Sequence, residues 1–414
     1  MFQSPREEYI SALEDAELHR TALGRDWLLA GEAALVGATA VTAPHREAIH
    51  LPAAEPRAAA WRFPLRRGDR LIVSAEVAME PLGRVFVDLF TVPRDTTQTR
   101  ERVASASETG TSIDVEIRQD GEYIVRAQPE LLRGGRIVVT ITTGPTLAFP
   151  VAGRDARIAR SLFGAPRDAG RRSHHGVDLF APRGTPVVAA APGIVRRVHH
   201  TDIGGNVVWL TDPRREQSLY YAHLDRQLVS AGDIVNVGDT LGLVGTTGNA
   251  RGTPPHLHFG IYRRRQGPVD PLPFIDTRRG APLDITADTA LLGERVRFAR
   301  VEGRLRTGPA VNAAPWRPVS RASVLKVLGA AGASYRVLMP DGGVGFVTAT
   351  AVQRAVGPVR VVTRQAGTLL RERPSPASVV VDSLTSPVRL EVVGRFGRWL
   401  LVATENKREG WITE

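Results

Sequence analysis

Pro255-His256-Leu257-His258-Phe259-Gly260 reads as a β-strand with chemistry on one face. Leu257, Phe259 and Ile261 alternate with His256, His258 and Gly260. A period of two sends alternate side chains to opposite faces, so the two imidazoles project together with Leu257 and Phe259 in the core behind them. Pro254 and Pro255 argue against a helix just before the strand. Alone, a His-x-His pair is more often an incidental surface feature than a ligand pair.

Two further histidine segments precede it. In Ser173-His174-His175-Gly176-Val177-Asp178, an extended backbone puts His174, Gly176 and Asp178 on one face. Gly176 places no side chain between the other two, so a metal can approach the backbone there. Tyr220-Tyr221-Ala222-His223-Leu224 lies between these elements. Two ligands from one segment and one from another make a three-ligand site. Such a site leaves a fourth tetrahedral position for water, as in catalytic zinc centres. Spare imidazoles can take a proton from that water or protonate a leaving amine, and His223 and His256 suit these tasks.

Residues 155–276 resemble the lysostaphin-type, LytM-like zinc metallopeptidases, whose signature is His-x-x-x-Asp near the start and His-x-His near the end, with a further His between. The glycine context agrees, at Gly184-Thr185-Pro186-Val187, Gly204-Gly205-Asn206 and Gly245-Thr246-Thr247-Gly248-Asn249 among others. The resemblance implies that His174, Asp178 and His258 bind one Zn2+ and that His223 and His256 are the catalytic histidines. It selects His174 over its neighbour His175, which on a strand faces the opposite way. It also implies the activity, a zinc-dependent endopeptidase hydrolysing cross-links or stem peptides of bacterial peptidoglycan. The alternative is a non-catalytic wall-binding protein or an activator of another wall hydrolase; the complete five-residue set speaks against it. A third reading, a lipoyl- or biotinyl-type carrier suggested by the run 232–248, needs an attachment lysine, and residues 155–276 contain none.

The flanking segments carry no catalytic constellation. Ser4, Pro5 and Glu7 form a capping box ahead of a helix, Gly24 is expected to interrupt, and Asp26 to cap a second helix, giving a helical segment over 1–40. Short Val- and Ile-rich segments separated by turns such as Asp120-Gly121 predict a β-sandwich over 41–152, similar to accessory domains of bacterial secreted peptidases. The metallopeptidase domain is expected over 153–280. Beyond it an internal repeat with an offset of about 65 residues pairs Leu305-Arg306 with Leu370-Arg371, Val327 and Gly329 with Val392 and Gly394, and Gly345-Phe346-Val347 with Gly410-Trp411-Ile412. These units resemble bacterial SH3-like barrels, over 290–355 and 356–414. The expected fold class is mainly β and multi-domain, with an antiparallel, barrel-sandwich-hybrid-like peptidase domain at its centre.

Composition sets the remaining limits. The chain has 414 residues, too many for one core, and 40 Gly and 29 Pro favour turns and short strands. No cysteine is present, so disulfides, thiol nucleophiles and Cys-ligated zinc are excluded. Lys+Arg 54 against Asp+Glu 43 gives a net charge of +11, and lysine occurs only at Lys326 and Lys407. Such a surface favours polyanions, here anionic wall polymers; no nucleic-acid motif accompanies it. No apolar stretch is long enough to span a membrane. The start MFQSPREEY lacks the apolar core of a signal peptide. With the peptidase reading, the expected location is the cell envelope, periplasmic or extracellular, with the export signal absent from this chain.

Overall fold

The computed structural model describes residues 3–79, 83–93, 95, 99–167, 170–278 and 280–414, so Met1 and Phe2 of the opening segment lie outside the described residues. The helix Pro5–Asp15 starts on the expected box: Glu7 N–H donates to Ser4 Oγ (3.2 Å) and Ser4 N–H to the Glu7 carboxylate (2.7 Å). The second helix, Ala22–Val36, corrects the sequence reading. Thr21, not Asp26, caps it, and Gly24 lies inside it. The glycine answers to local crowding. A 3-10 turn at Leu18–Arg20 brings the Leu18 carbonyl so near that a Cβ at position 24 would sit 2.1 Å from its oxygen. Glycine there permits the approach rather than ending the helix. Trp27 then anchors the helices against Tyr9 and Phe86.

The rest of the chain is dominated by strands. Ala59–Leu65, Gly121–Pro129 and Val85–Thr91 are neighbours in one sheet; His45–Leu51, Gly135–Pro145, Asp69–Met79 and Ser112–Glu116 are neighbours in another. The two sheets share a core containing Trp61, Phe63, Val125, Leu71 and Ile137. The second sheet does not end with these strands. His45–Leu51 also pairs with Val324–Ala331, through Ala48 opposite Ala330 and Ile49 opposite Gly329, so strands of the 290–355 segment extend it to 11. Reading the two segments separately gave no sign of this joint.

The repeat at an offset of about 65 is visible as strand register. Arg306 pairs with Phe346, and Arg371 with Trp411. Val327 lies opposite Val337 with a bulge before Gly329; Val392 lies opposite Val402 with a bulge before Gly394. Each glycine thus marks a β-bulge at the same point of its unit.

The central sheet positions the site. Val177–Phe180 pairs antiparallel with His256–Arg263, which pairs with Gln217–Gln227, followed by Gly205–Asp212 and Gly193–Thr201. One face sends Val177, Leu179, Leu257, Phe259, Ile261 and Tyr221 into a closed core. Burial of each such side chain contributes roughly 1.5–3 kcal/mol, which holds the strand register firmly. Arg215 ties this sheet to the sandwich, donating from Nε to Glu116 (3.0 Å) and from Nη1 to Asp212 (3.0 Å).

Candidate active site

Register brings the ligand candidates together. Asp178 lies directly opposite His258, and Ala222 flanks His258 on the other side. His174 comes from the loop before Val177–Phe180; its N–H donates to Ala165 O and its carbonyl accepts from Gly164 N, both 2.9 Å. His174 Nε2 is 2.9 Å from His258 Nδ1 and 3.0 Å from Asp178 Oδ1, and His258 Nδ1 is 3.0 Å from the same oxygen. Three potential ligand atoms thus converge at spacings slightly inside the ~3.3 Å edge that metal bonds of ~2.0 Å imply for a tetrahedron. His174 Nδ1 lies 2.9 Å from the Leu162 carbonyl, which accepts a hydrogen bond from Nδ1–H and so leaves Nε2 as a lone pair facing the other two atoms. A cation satisfies this arrangement, and the group could hold a metal ion.

Electrostatics fit the same reading. Burial alone would raise the Asp178 carboxyl, but the adjacent His174 and His258 side chains together outweigh it and hold the group well below the usual carboxylate range. Burial pushes the His258 imidazole down, which favours the neutral form a metal needs. Gly176 guards the geometry. A Cβ there would lie 2.5 Å from Phe259 O and 2.7 Å from His258 Nε2. Gly176→Ala is therefore expected to displace His258 and weaken metal binding roughly 10–100-fold, read by competition against a chromogenic chelator.

The other two histidines stand beside this cluster. His223 adopts φ 62°, a left-handed conformation uncommon for a side-chain-bearing residue. It is held there by its N–H donating to Gly204 O (2.8 Å) and by its Nδ1, 2.9 Å from Thr247 O. His256 Nδ1 lies 2.9 Å from Pro254 O, and its ring stacks on Phe180 with centroids 5.0 Å apart. Nδ1–H donation to a carbonyl in both cases leaves both Nε2 atoms as acceptors. The His223 ring centroid is 5.0 Å from that of His256 and 5.9 Å from that of His258. Burial, reinforced by His256 and His258 against the Thr247 hydrogen bond, pushes His223 down to about 4. It is neutral at pH 7 and able to accept a proton.

All five residues line one groove of about 550 Å³. So does His175, against the strand expectation that it turns away. Residues 174–176 belong to no strand, so alternation does not apply to them. Two features escaped the sequence reading. Arg167 Nη2 donates to Asp178 Oδ2 (2.7 Å) and to Ser161 Oγ (2.6 Å), fixing the carboxylate from its far side. Among so many arginines, nothing in the sequence marks this one. Trp209, Tyr220 and Tyr262 form an aromatic row in the groove, with centroids 4.4 Å (Trp209–Tyr220) and 5.1 Å (Trp209–Tyr262) apart. Alternation in Tyr220-Tyr221 could have revealed it: Tyr221 is buried and its OH accepts from Ala190 N–H, so Tyr220 must face the other way.

Known proteins resemble the same part of the chain. Peptidoglycan DD-endopeptidase ShyC of Vibrio cholerae is 40% identical over 91 residues, 21% of this chain and 20% of that protein. L-Ala--D-Glu endopeptidase of Bacillus subtilis is 34% identical over 139 residues, 31% of this chain and 42% of that protein. The chain thus spans less than half the length of either relative. The catalytic domain of lysostaphin from Staphylococcus simulans superimposes with a TM-score of 0.25 and 32% identity, covering 28% of this chain and 87% of that one. Residues 172–271, which hold all five clustered side chains, match the profile of Peptidase family M23.

Proposed function

We propose that the chain is a zinc-dependent endopeptidase that hydrolyses peptide bonds of bacterial peptidoglycan in the cell envelope. The observation that carries this reading is the convergence of His174 Nε2, His258 Nδ1 and Asp178 Oδ1 within 3.0 Å of one another, beside two further imidazoles. Zinc held by these three residues would supply a water activated near neutral pH and polarise the scissile carbonyl. His223, neutral and anchored through Nδ1, takes a proton at Nε2. His256, braced by Phe180 and the Pro254 carbonyl, stabilises developing charge or protonates the leaving amine. Arg167 keeps Asp178 oriented. The aromatic row supports the substrate main chain. In this reading the sandwich (41–152) and the two SH3-like units (290–355 and 356–414) place the enzyme on the wall.

The test combines metal analysis with digestion. Purified protein is expected to carry one zinc per chain and to release new amino termini from purified peptidoglycan. A chelator should stop release and added zinc restore it. Protein with its zinc bound that frees no muropeptide would support the wall-binding or activator role instead.

A further inference from the structure

A second cavity lies where the sandwich meets the first repeat unit, and it shares no lining residue with the groove. Its volume is about 420 Å³. Small-ligand sites span roughly 300–1,000 Å³ and favour such junctions between domains. The wall is mostly apolar: Val41 and Pro44 come from the sandwich side, Leu283 from the connecting segment, and Ala310, Ala313 and Ala331 from the repeat unit. The loop that carries the first two alanines is already fixed. Ser334 Oγ donates to Pro309 O (2.9 Å), and Thr307 N–H to Ala314 O (3.0 Å). A wall held in place spares a ligand the cost of ordering it.

One polar side chain of this wall has unused capacity. His45 is only 4% exposed, and its Nε2 lies 3.3 Å from Glu47 Oε2. Glu47 is ionised and accepts from Arg336 and Trp61, so it has no proton to give. The imidazole hydrogen therefore sits on Nε2, and the neutral ring keeps its lone pair at Nδ1. Among the described residues no group bonds to that Nδ1, yet it is not a sealed atom, so it opens on the cavity that the ring lines. Thr42, exposed on the same wall, offers a hydroxyl. Arg46 is the one permanently charged residue among the described lining, and its Nη2 donates to Glu76 (3.2 Å).

These features specify a ligand. It brings an N–H for His45 Nδ1, an oxygen for the Thr42 hydroxyl, and a methyl-sized apolar part for the alanines. It carries no net charge, since a charge would lose hydration here without gaining a counter-ion. We propose that this cavity is a second binding site, taking an uncharged secondary amide with a methyl group beside it. That chemistry is shared by an N-acetylated amino sugar and an alanyl peptide. The site stands apart from the peptidase reading and survives or falls without it.

The full chain is titrated with N-acetylglucosamine and with N-acetyl-alanine methylamide, and binding is read from broadening of the probe methyl signals in proton NMR. Glucosamine and the fully N-methylated alanine probe are the matched controls, the first without the acetyl group and the second without an N–H. At least one probe is expected to bind with a Kd on the order of 1 mM, and its control about tenfold more weakly. Which probe binds tells the sugar from the peptide. Ala310→Trp, at an exposed position of the wall, fills the cavity and should abolish binding. His45→Phe should weaken binding as much as loss of the N–H does. His258→Ala alters the groove and should leave binding unchanged. Failure of both probes to bind would overturn the proposal. So would binding that survives Ala310→Trp or is lost in His258→Ala. If His45→Phe does not fold, Ala310→Trp and the N-methylated probe still decide.

Discussion

His258→Ala is expected to lose zinc and hydrolysis together, whereas His223→Ala keeps zinc and loses turnover by roughly 10²–10⁴-fold. The two side chains are near neighbours, with ring centroids 5.9 Å apart, yet the proposed mechanism gives them different roles. His258 offers Nδ1 to the same point as His174 Nε2 and Asp178 Oδ1, so its removal takes one of three ligand atoms. His223 belongs to no such convergence. Its Nδ1 is engaged by Thr247 O, and burial holds it neutral, with a pKa of about 4. Removing it takes away a proton acceptor and leaves the triad whole. Elemental analysis and turnover on peptidoglycan separate the outcomes. Added zinc should raise the melting temperature of the wild type and of His223→Ala, but much less that of His258→Ala. Zinc missing from the His223 variant, or normal turnover in either, would refute the assignment of roles.

Much of this site was legible because its signals are local. The alternation around His256 and His258 encodes both the strand and its active face. The spacing of His174 and Asp178 singled both out, although residues 174–176 belong to no strand and the room that Gly176 leaves is for His258 and Phe259. The repeat over 290–414 reappears as register, down to bulges at Gly329 and Gly394. What escaped depends on partners far away in the chain. Arg167 gains its meaning from a bond to Asp178, and arginine is too common here to stand out. Thr21 rather than Asp26 caps the second helix because the 3-10 turn ends at Thr21 and its Oγ1 accepts from Gly24 N–H, an arrangement no propensity records. The joint of Ala48 with Ala330 spans most of the chain, and strand periodicity cannot say which edge meets which.

That joint is sealed by a buried charge, and Glu47→Ala is expected to destabilise the protein by about 3–5 kcal/mol. Glu47 is fully buried on His45–Leu51. Its Oε1 accepts from Arg336 Nε (2.6 Å) and its Oε2 from Trp61 Nε1 (2.5 Å), with His45 Nε2 3.3 Å away. Arg336 lies on Ser334–Leu338, beyond the shared edge, and also donates to Thr39 Oγ1 (3.0 Å). Alanine would strand a guanidinium that is only 8% exposed, together with the indole N–H of Trp61. Arg336→Ala would strand the carboxylate instead and should cost a similar amount. Replacing both, as Glu47→Leu with Arg336→Met, removes both charges at once and should recover much of the loss. A pH titration gives an independent check. Burial would raise the Glu47 carboxyl, but Arg336, His45 and Trp61 together outweigh it and hold the pKa at about 2, below the ordinary 4.5. The contribution of this group, roughly 3 kcal/mol by linkage, is therefore present above about 4.5 and lost as pH falls towards about 2. Denaturant unfolding across that window should show the wild type losing this increment and Glu47→Leu/Arg336→Met lacking it. An acid profile identical in the two proteins would mean that Glu47 does not bind the sandwich to the first repeat unit as a charge.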